Sequence, residues 1–228
     1  GDVFLMKVLL FSGGKDSTVM MHLLKELQEH LPFELIAVTL DEGIKGYRSY
    51  TLEVAEREAK KLGIEHKVFS FKEKTNLTLD DIMDRNRVGG NSKIPCSYCG
   101  VIRRTLINRA AREVEADKVA VGHNLDDMAQ TVMMNIMRNE PLRLARLGDP
   151  LVEDDKLIPR IRPLLRSPEK EIAIYAITND IEIHFQECPY ARHALRAHVR
   201  EQLNETEERI LVQNSKSSTA SCHCSPFL

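Results

Sequence analysis

The sequence predicts an α/β protein in which a parallel sheet carries helices on both faces, followed by a small C-terminal helical region. Three observations predict it. Short apolar runs alternate with segments whose apolar residues recur every three or four positions, the pattern of strands joined by helical crossovers. A turn with two adjacent glycines follows the first apolar run directly and precedes a helical pattern. A chain of 228 residues buries about 70% of its unfolded surface, enough for one good core with an appendage.

In order along the chain, residues 7–11 form the first predicted strand, and a helix over 16–31 is supported by Met20, Leu23, Leu24, Leu27 and Leu31. Further strands are predicted at 34–40, 65–71 and 118–122, and further helices at 47–62, 76–87, 97–114 and 125–138. The polar, glycine-bearing stretch 85–95 ends in a proline and reads as a mobile loop. Pro159 and Pro163 bracket Arg160 and Arg162, after which 168–179 and 191–213 look helical. The expected division is therefore 1–165 for the sheet domain, 166–213 for the helical region, and 214–228 for a Ser-rich, poorly ordered tail. Ligands of such sheets bind beyond the carboxyl ends of the strands, so Ser12, Asp41 and Gly122 are expected to converge on one crevice.

The net charge of −2 combines 32 basic and 34 acidic residues, so a nucleic-acid surface has to be a local patch. No run of 18 apolar residues and no signal-peptide pattern is present, which predicts a soluble, cytoplasmic protein without membrane contact. Five cysteines without a disulfide-like framework fit a reducing compartment, where Cys points to metal or catalysis.

Ser12-Gly13-Gly14-Lys15-Asp16-Ser17 joins the first strand to the first helix. Adjacent glycines admit close backbone approach and positive φ, the helix start presents free N–H groups, and Lys15 adds a cation, so the turn reads as a phosphate cradle. It is not the G-x-x-x-x-G-K-[ST] loop, because the glycines are adjacent and an aspartate follows the lysine. It resembles the PP-loop, S-G-G-x-D-S, all of whose positions are matched. The resemblance implies a Rossmann-like, adenine nucleotide α-hydrolase-like fold that grips the pyrophosphate of ATP and splits ATP into AMP and pyrophosphate. The alternative is a serine- and glycine-rich β-α turn.

Cys96-Ser97-Tyr98-Cys99-Gly100 opens a helix, and Cys188 lies far away in Glu187-Cys188-Pro189-Tyr190. Read alone, the pair fits a redox motif, half a zinc site or part of an iron-sulfur site, and Cys188 fits a plain core cysteine. Three thiolates are also what a 4Fe-4S cluster needs when one iron keeps an open position. A fourth segment, Gly122-His123-Asn124-Leu125-Asp126-Asp127, combines a strand-end glycine, a helix-capping Asn124 and Asp127, a candidate Mg²⁺ ligand or proton acceptor over the phosphates. Acids at a helix start are also favoured by the helix dipole alone.

With these four segments in this order, the chain resembles the tRNA 2-thiouridine synthetases of archaea and the eukaryotic cytosol. The resemblance implies a 4Fe-4S cluster on Cys96, Cys99 and Cys188, with Lys15, Asp127 and Arg103 completing the catalytic set. It implies nucleotide contacts from Leu10, Ser12, Gly13, Gly14, Lys15, Asp16, Ser17, Leu40, Asp41, Arg103, Gly122 and Asp127. The implied substrate is a tRNA uridine whose carbon-2 oxygen is adenylated and then replaced by sulfur. The resemblance implies sulfide or a thiocarboxylated ubiquitin-like protein as donor, a choice not written in this chain, and a homodimer. Val101 to Arg104 and Met133 to Arg138 look more like the wobble-position branch than the T-loop branch.

Relatives usually carry zinc-binding cysteine pairs at both ends. No cysteine precedes Cys96, and Cys222-His223-Cys224 supplies too few ligands, so zinc is not supported here and the tail reads as a remnant of a zinc segment. RNA contacts are expected from Arg103, Arg104, Arg109 and Arg112, from Arg138, Arg143 and Arg146, and from Arg192, Arg196 and Arg200 on one helical face. Competing readings are T-loop uridine or cytidine thiolation, a cysteine-independent amide synthetase or ligase, and a non-catalytic nucleotide- or RNA-binding subunit.

Overall fold

A computed structural model of the chain describes residues 6–12, 14–88, 95–145, 147, 158–183, 188–191 and 195–221. β1 (Met6–Ser12) leads through the glycine turn into α1 (Lys15–Leu27), followed by β2 (Phe33–Asp41), α2 (Arg48–Lys61) and β3 (Glu65–Ser70). Then come α3 (Phe71–Thr75), α4 (Leu79–Val88), α5 (Pro95–Glu113), β4 (Lys118–Val121), α6 (Leu125–Met137) and α7 (Pro141–Ala145). β5 (Arg160–Ile161), α8 (Glu169–Thr178) and α9 (Leu195–Ser221) complete the chain.

All pairings are parallel, in the order β3-β2-β1-β4-β5. The chain winds outward from β1 through β2 to β3, then returns to place β4 on the other side of β1. That reversal creates a topological switch point at the carboxyl ends of β1 and β4, where an α/β sheet opens a crevice. β2 is buried along nearly its whole length, as a strand covered on both faces should be.

Alternate residues feed two cores. Val8, Leu35, Ala37 and Ala120 pack with Met20, Met21 and Leu24 of α1 and with Ile172 and Ala176 of α8. Ile36, Val38, Leu40, Val119 and Val121 point the other way, onto Leu106, Ile107, Ala110 and Ala111 of α5. The cysteine helix is thereby fixed to one face of the sheet, and α8, in the region expected to stand apart, shares the core of the opposite face.

The structure departs from the sequence expectations at identifiable places. The third strand ends at Ser70 and is followed by an unexpected short helix, α3, which Asn76 closes in a left-handed conformation with φ 60°, so the helix expected over 76–87 begins only at Leu79, as α4. β5 is only two residues long, too short to leave an apolar run. α9 continues through Ser221 where a tail was expected from 214, since no Gly or Pro interrupts 195–221. The expected loop 85–95 is helical up to Val88 and again from Pro95, and its remainder lies outside the described residues.

Candidate active site

Gly14 caps α1 in an extended conformation (φ −161°, ψ 172°), so the positive φ anticipated for this glycine is not what it supplies. A Cβ on Gly14 would meet no atom within 4 Å, and this leaves the space above the helix start open to a ligand. Gly13 lies outside the described residues. Gly14 N donates to Ser17 Oγ at 3.0 Å, and Ser17 Oγ donates to Gly14 O at 2.8 Å, which fixes the turn. Gly122, just past β4, has the opposite role. A Cβ there would lie 2.9 Å from Ser17 N and 3.1 Å from its Cα, so only glycine lets the β4 exit rest on the first turn of α1.

Lys15 is not a freely swinging cation. Its ammonium lies 3.0 Å from Asp16 Oδ1 and pairs with Glu169 Oε1 at the start of α8. Burial opposes the charge, but the Glu169 hydrogen bond and the Asp16 and Glu169 charges outweigh it and hold Lys15 above the ordinary lysine pKa. Burial pushes the Asp16 carboxyl up, against the pull of Lys15. Glu169 is anchored in turn by its backbone N–H, which donates to Asp126 Oδ2 at 2.7 Å. Sequence reading missed Glu169, which carries no motif of its own.

The segment after β4 starts α6 with a reciprocal cap. Asp127 N donates to Asn124 Oδ1 at 2.8 Å, and Asn124 N donates back to Asp127 Oδ2 at 3.4 Å. Asn124 Nδ2 reaches Asp16 Oδ2 at 3.4 Å, tying this segment to the phosphate turn. Asp127 Oδ1 also accepts from Arg196 Nη1 at 3.2 Å, and the same guanidinium reaches Gln130 and Thr131. Arg196 therefore anchors α9 to α6, a role the expected arginine face did not include; Arg192 and Arg146 lie outside the described residues. His123 is pushed below the ordinary histidine pKa by burial and by Arg162, Arg196 and Arg160, against Asp127.

Cys96, Cys99 and Cys188 are free thiols. Cys96 and Cys188 line one cavity of about 740 Å³ together with Asp16, Asn124, Asp127 and Glu169. Cys99 sits one helical turn from Cys96 against the α5-side core, and burial pushes its thiol up to about 11 although Arg103 pulls the other way. Burial also raises Cys188, which feels the Cys96 charge. Cys96 Sγ approaches Tyr190 O at 3.9 Å, and Tyr190 Oη donates to Asp80 Oδ1 at 2.7 Å, which docks the Cys188 turn onto α4.

Among the described residues no three His, Cys, Asp or Glu side chains gather around a single metal ion. Two thiols on one cavity, Cys96 and Cys188, with Cys99 one helical turn from Cys96, fit instead a group that contacts each sulfur through a different metal atom and displaces its proton, as an iron-sulfur cluster does. Cys222 and Cys224 lie outside the described residues.

A second cavity of about 370 Å³ adjoins the turn and is lined by Gly14, Ser17, Arg103, Arg104, His123 and Arg160 among others. Arg103 Nη1 lies 2.8 Å from Glu42 Oε1. Glu42 is only 2% exposed and also pairs with buried Arg48, whose Nε donates to Leu40 O at 2.9 Å. The Leu40 side chain belongs to the core, and Asp41 Oδ1 accepts from Gly43 N at 2.8 Å; neither residue lines these two cavities. Leu10 and Ser12 contribute to β1. Glu42 and Arg48 escaped the sequence reading, although an acid beside Asp41 at a strand end was a legible signal.

The PP-loop domain family matches residues 6–207. The tRNA 2-thiolation protein NcsA of Haloferax volcanii is 37% identical over 209 residues, covering 88% of this chain and 64% of the relative. Cytoplasmic tRNA 2-thiolation protein 1 of Chlamydomonas reinhardtii is 39% identical over 198 residues, covering 86% and 54%. Among solved structures, the U34-tRNA thiolase NcsA from Methanococcus maripaludis with its 4Fe-4S cluster superposes with a TM-score of 0.78 at 38% identity, over 90% of this chain and 66% of that one. An NH3-dependent NAD synthetase from Campylobacter jejuni, 15% identical with a TM-score of 0.52 over 98% of this chain and 88% of that one, shares the fold alone.

Proposed function

The chain belongs to the PP-loop domain family, and on that premise we propose that it is an ATP-dependent tRNA-uridine 2-thiolase acting on the wobble position. It spans 64% and 54% of the two curated relatives described above, both of which are named for tRNA 2-thiolation. The observation that carries the reading is the shared cavity: Cys96 and Cys188 face the same space as Asp16 of the phosphate turn and Asp127 of α6. An ATP pyrophosphatase of the ligase type has no use for thiols at that place.

Carbon 2 of uridine bears an amide-like carbonyl whose oxygen leaves poorly. Attack of that oxygen on the α-phosphate of ATP forms an O-adenylated uridine and releases pyrophosphate. Lys15 and the amides at the start of α1 would stabilise the departing pyrophosphate, and Arg103, which pairs with Glu42, would meet the α-phosphate. Asp127 would supply a carboxylate to a Mg²⁺ ion held mainly by phosphate oxygens and water. A sulfur nucleophile then adds at carbon 2 and AMP leaves with the former carbonyl oxygen. Cys96, Cys99 and Cys188 would hold a 4Fe-4S cluster, and the chemistry such a cluster would supply is a binding position for hydrosulfide. The sulfur comes from sulfide or a thiocarboxylated ubiquitin-like protein, and the working unit is a cytoplasmic homodimer. No described helix is long and apolar enough to cross a membrane.

Pyrophosphate release in the presence of ATP and unmodified tRNA tests the adenylation half of this reading. Lys15→Met is expected to lower that release by about 10²- to 10³-fold, the usual loss when one preorganised charge-stabilising donor is removed. Release that is independent of tRNA, or equal in the variant, would contradict it.

A further inference from the structure

Most arginines near the site have carboxylate partners: Arg103 has Glu42, Arg48 has Glu42, and Arg196 has Asp127. Among the described residues, Arg104, Arg160 and Arg162 form no side-chain ion pair or hydrogen bond. Arg104 of α5 and Arg160 of β5 line the same cavity of about 370 Å³ beside Gly14, Ser17 and Gly122. Arg162, at the exit of β5, has its Nε buried without an acceptor. The three guanidiniums sense one another: burial, Arg104 and Arg162 together hold Arg160 below the ordinary arginine pKa. A shortage of acids is not the reason, since the chain has 34 of them against 32 bases. Like charges gathered in a half-buried cleft without counter-charge are unfavourable in the protein alone, and an anion reverses the sign of that energy.

We propose that Arg104, Arg160 and Arg162 form a subsite for a backbone phosphate of the RNA strand that presents the target uridine. The proposal rests on the RNA-thiolase reading above. Two arguments favour RNA over the nucleotide. In the thiolase reading pyrophosphate is assigned to Lys15 and the helix amides and the α-phosphate to Arg103, which leaves these three cations without a role toward ATP. Arg104 also lines the wider cavity, whose wall carries Arg138, Arg143 and Arg200. Arg104, Arg138, Arg143 and Arg200 thus share one cavity wall with Cys96 and Cys188, the distribution expected of a path for a phosphate backbone. The guanidinium fork suits a phosphate's paired oxygens.

The test measures binding of an unmodified tRNA transcript to the full chain across a salt series, with a nonhydrolysable ATP analogue titrated separately. Arg160→Gln is expected to weaken tRNA binding several-fold and to reduce the log–log salt slope by about one, while affinity for the ATP analogue is unchanged. Its melting temperature without RNA should equal or exceed that of the wild type, because a repulsive charge has gone; an arginine kept for packing would lower it. Arg104→Gln, exposed on a different element, carries the same binding prediction without a folding risk. Unaltered tRNA affinity and slope in both variants would overturn the subsite and leave the thiolase reading standing. Loss of ATP-analogue affinity with tRNA binding intact would assign the cluster to the nucleotide and overturn it equally. A wild-type chain that binds no tRNA would sink both.

Discussion

Gly122 shows how one residue controls the site. Its missing side chain lets the end of β4 sit against the backbone of Ser17, where a Cβ would come within 2.9 Å of a main-chain nitrogen. Neither partner is a flexible side-chain tip, so Gly122→Ala must shift the phosphate turn itself. We expect a cost of about 1 to 3 kcal/mol in stability by denaturant titration, as for other overpacked positions, together with weaker binding of the ATP analogue. Wild-type values for both would mean that the close approach has no function. The glycine was legible in the sequence, but its reason was not, since the Ser17 backbone lies 105 residues away in sequence. Lys15 illustrates the converse. Its identity was plain from the motif, whereas the Glu169 counter-charge comes from a helix start with no recognisable signature.

At the scale of elements, the strands and long helices could be read because burial on two faces leaves periodic apolar patterns. β5, α3 and α7 could not, since two to five residues carry too little pattern. Contacts between elements were also out of reach. Thr39 Oγ1 of β2 and His66 Nε2 of β3 lie 2.9 Å apart, and burial holds the His66 imidazole below its ordinary pKa, with Glu56 opposing. A depressed folded-state value means that the neutral ring is the form favoured by folding. Its contribution is therefore present above the unfolded value of about 6.5 and is lost as pH falls through the folded-state value. Melting temperatures from pH 8 to pH 4 should fall less steeply for His66→Gln than for wild type; identical slopes would contradict the assignment. Arg196 joins α9 to α6 through Asp127, Gln130 and Thr131. Because the pair is partly exposed, Arg196→Ala is expected to cost only about 1 kcal/mol, read from chemical denaturation.

On the scale of the whole molecule, the sheet places the glycine turn, a capped acidic helix start and a cysteine helix around one switch-point crevice. Ser12 and Gly122 lie at adjacent strand ends, as their positions in the sequence implied, whereas Asp41, expected to join them, lines neither cavity. That Cys188 reaches the same cavity from α9's side could not be derived from spacing, since 89 residues separate it from Cys99. The account's central claim is that one cavity couples ATP cleavage to sulfur insertion. Anaerobic reconstitution of the full chain with iron, sulfide, ATP and unmodified tRNA, followed by nucleoside mass spectrometry, tests it most directly. The expected product is 2-thiouridine at the wobble position, formed only with ATP and absent in Cys188→Ala, while that variant still binds the ATP analogue. No thiolated nucleoside from a cluster-loaded, ATP-binding wild-type protein, or undiminished thiolation by Cys188→Ala, would contradict it.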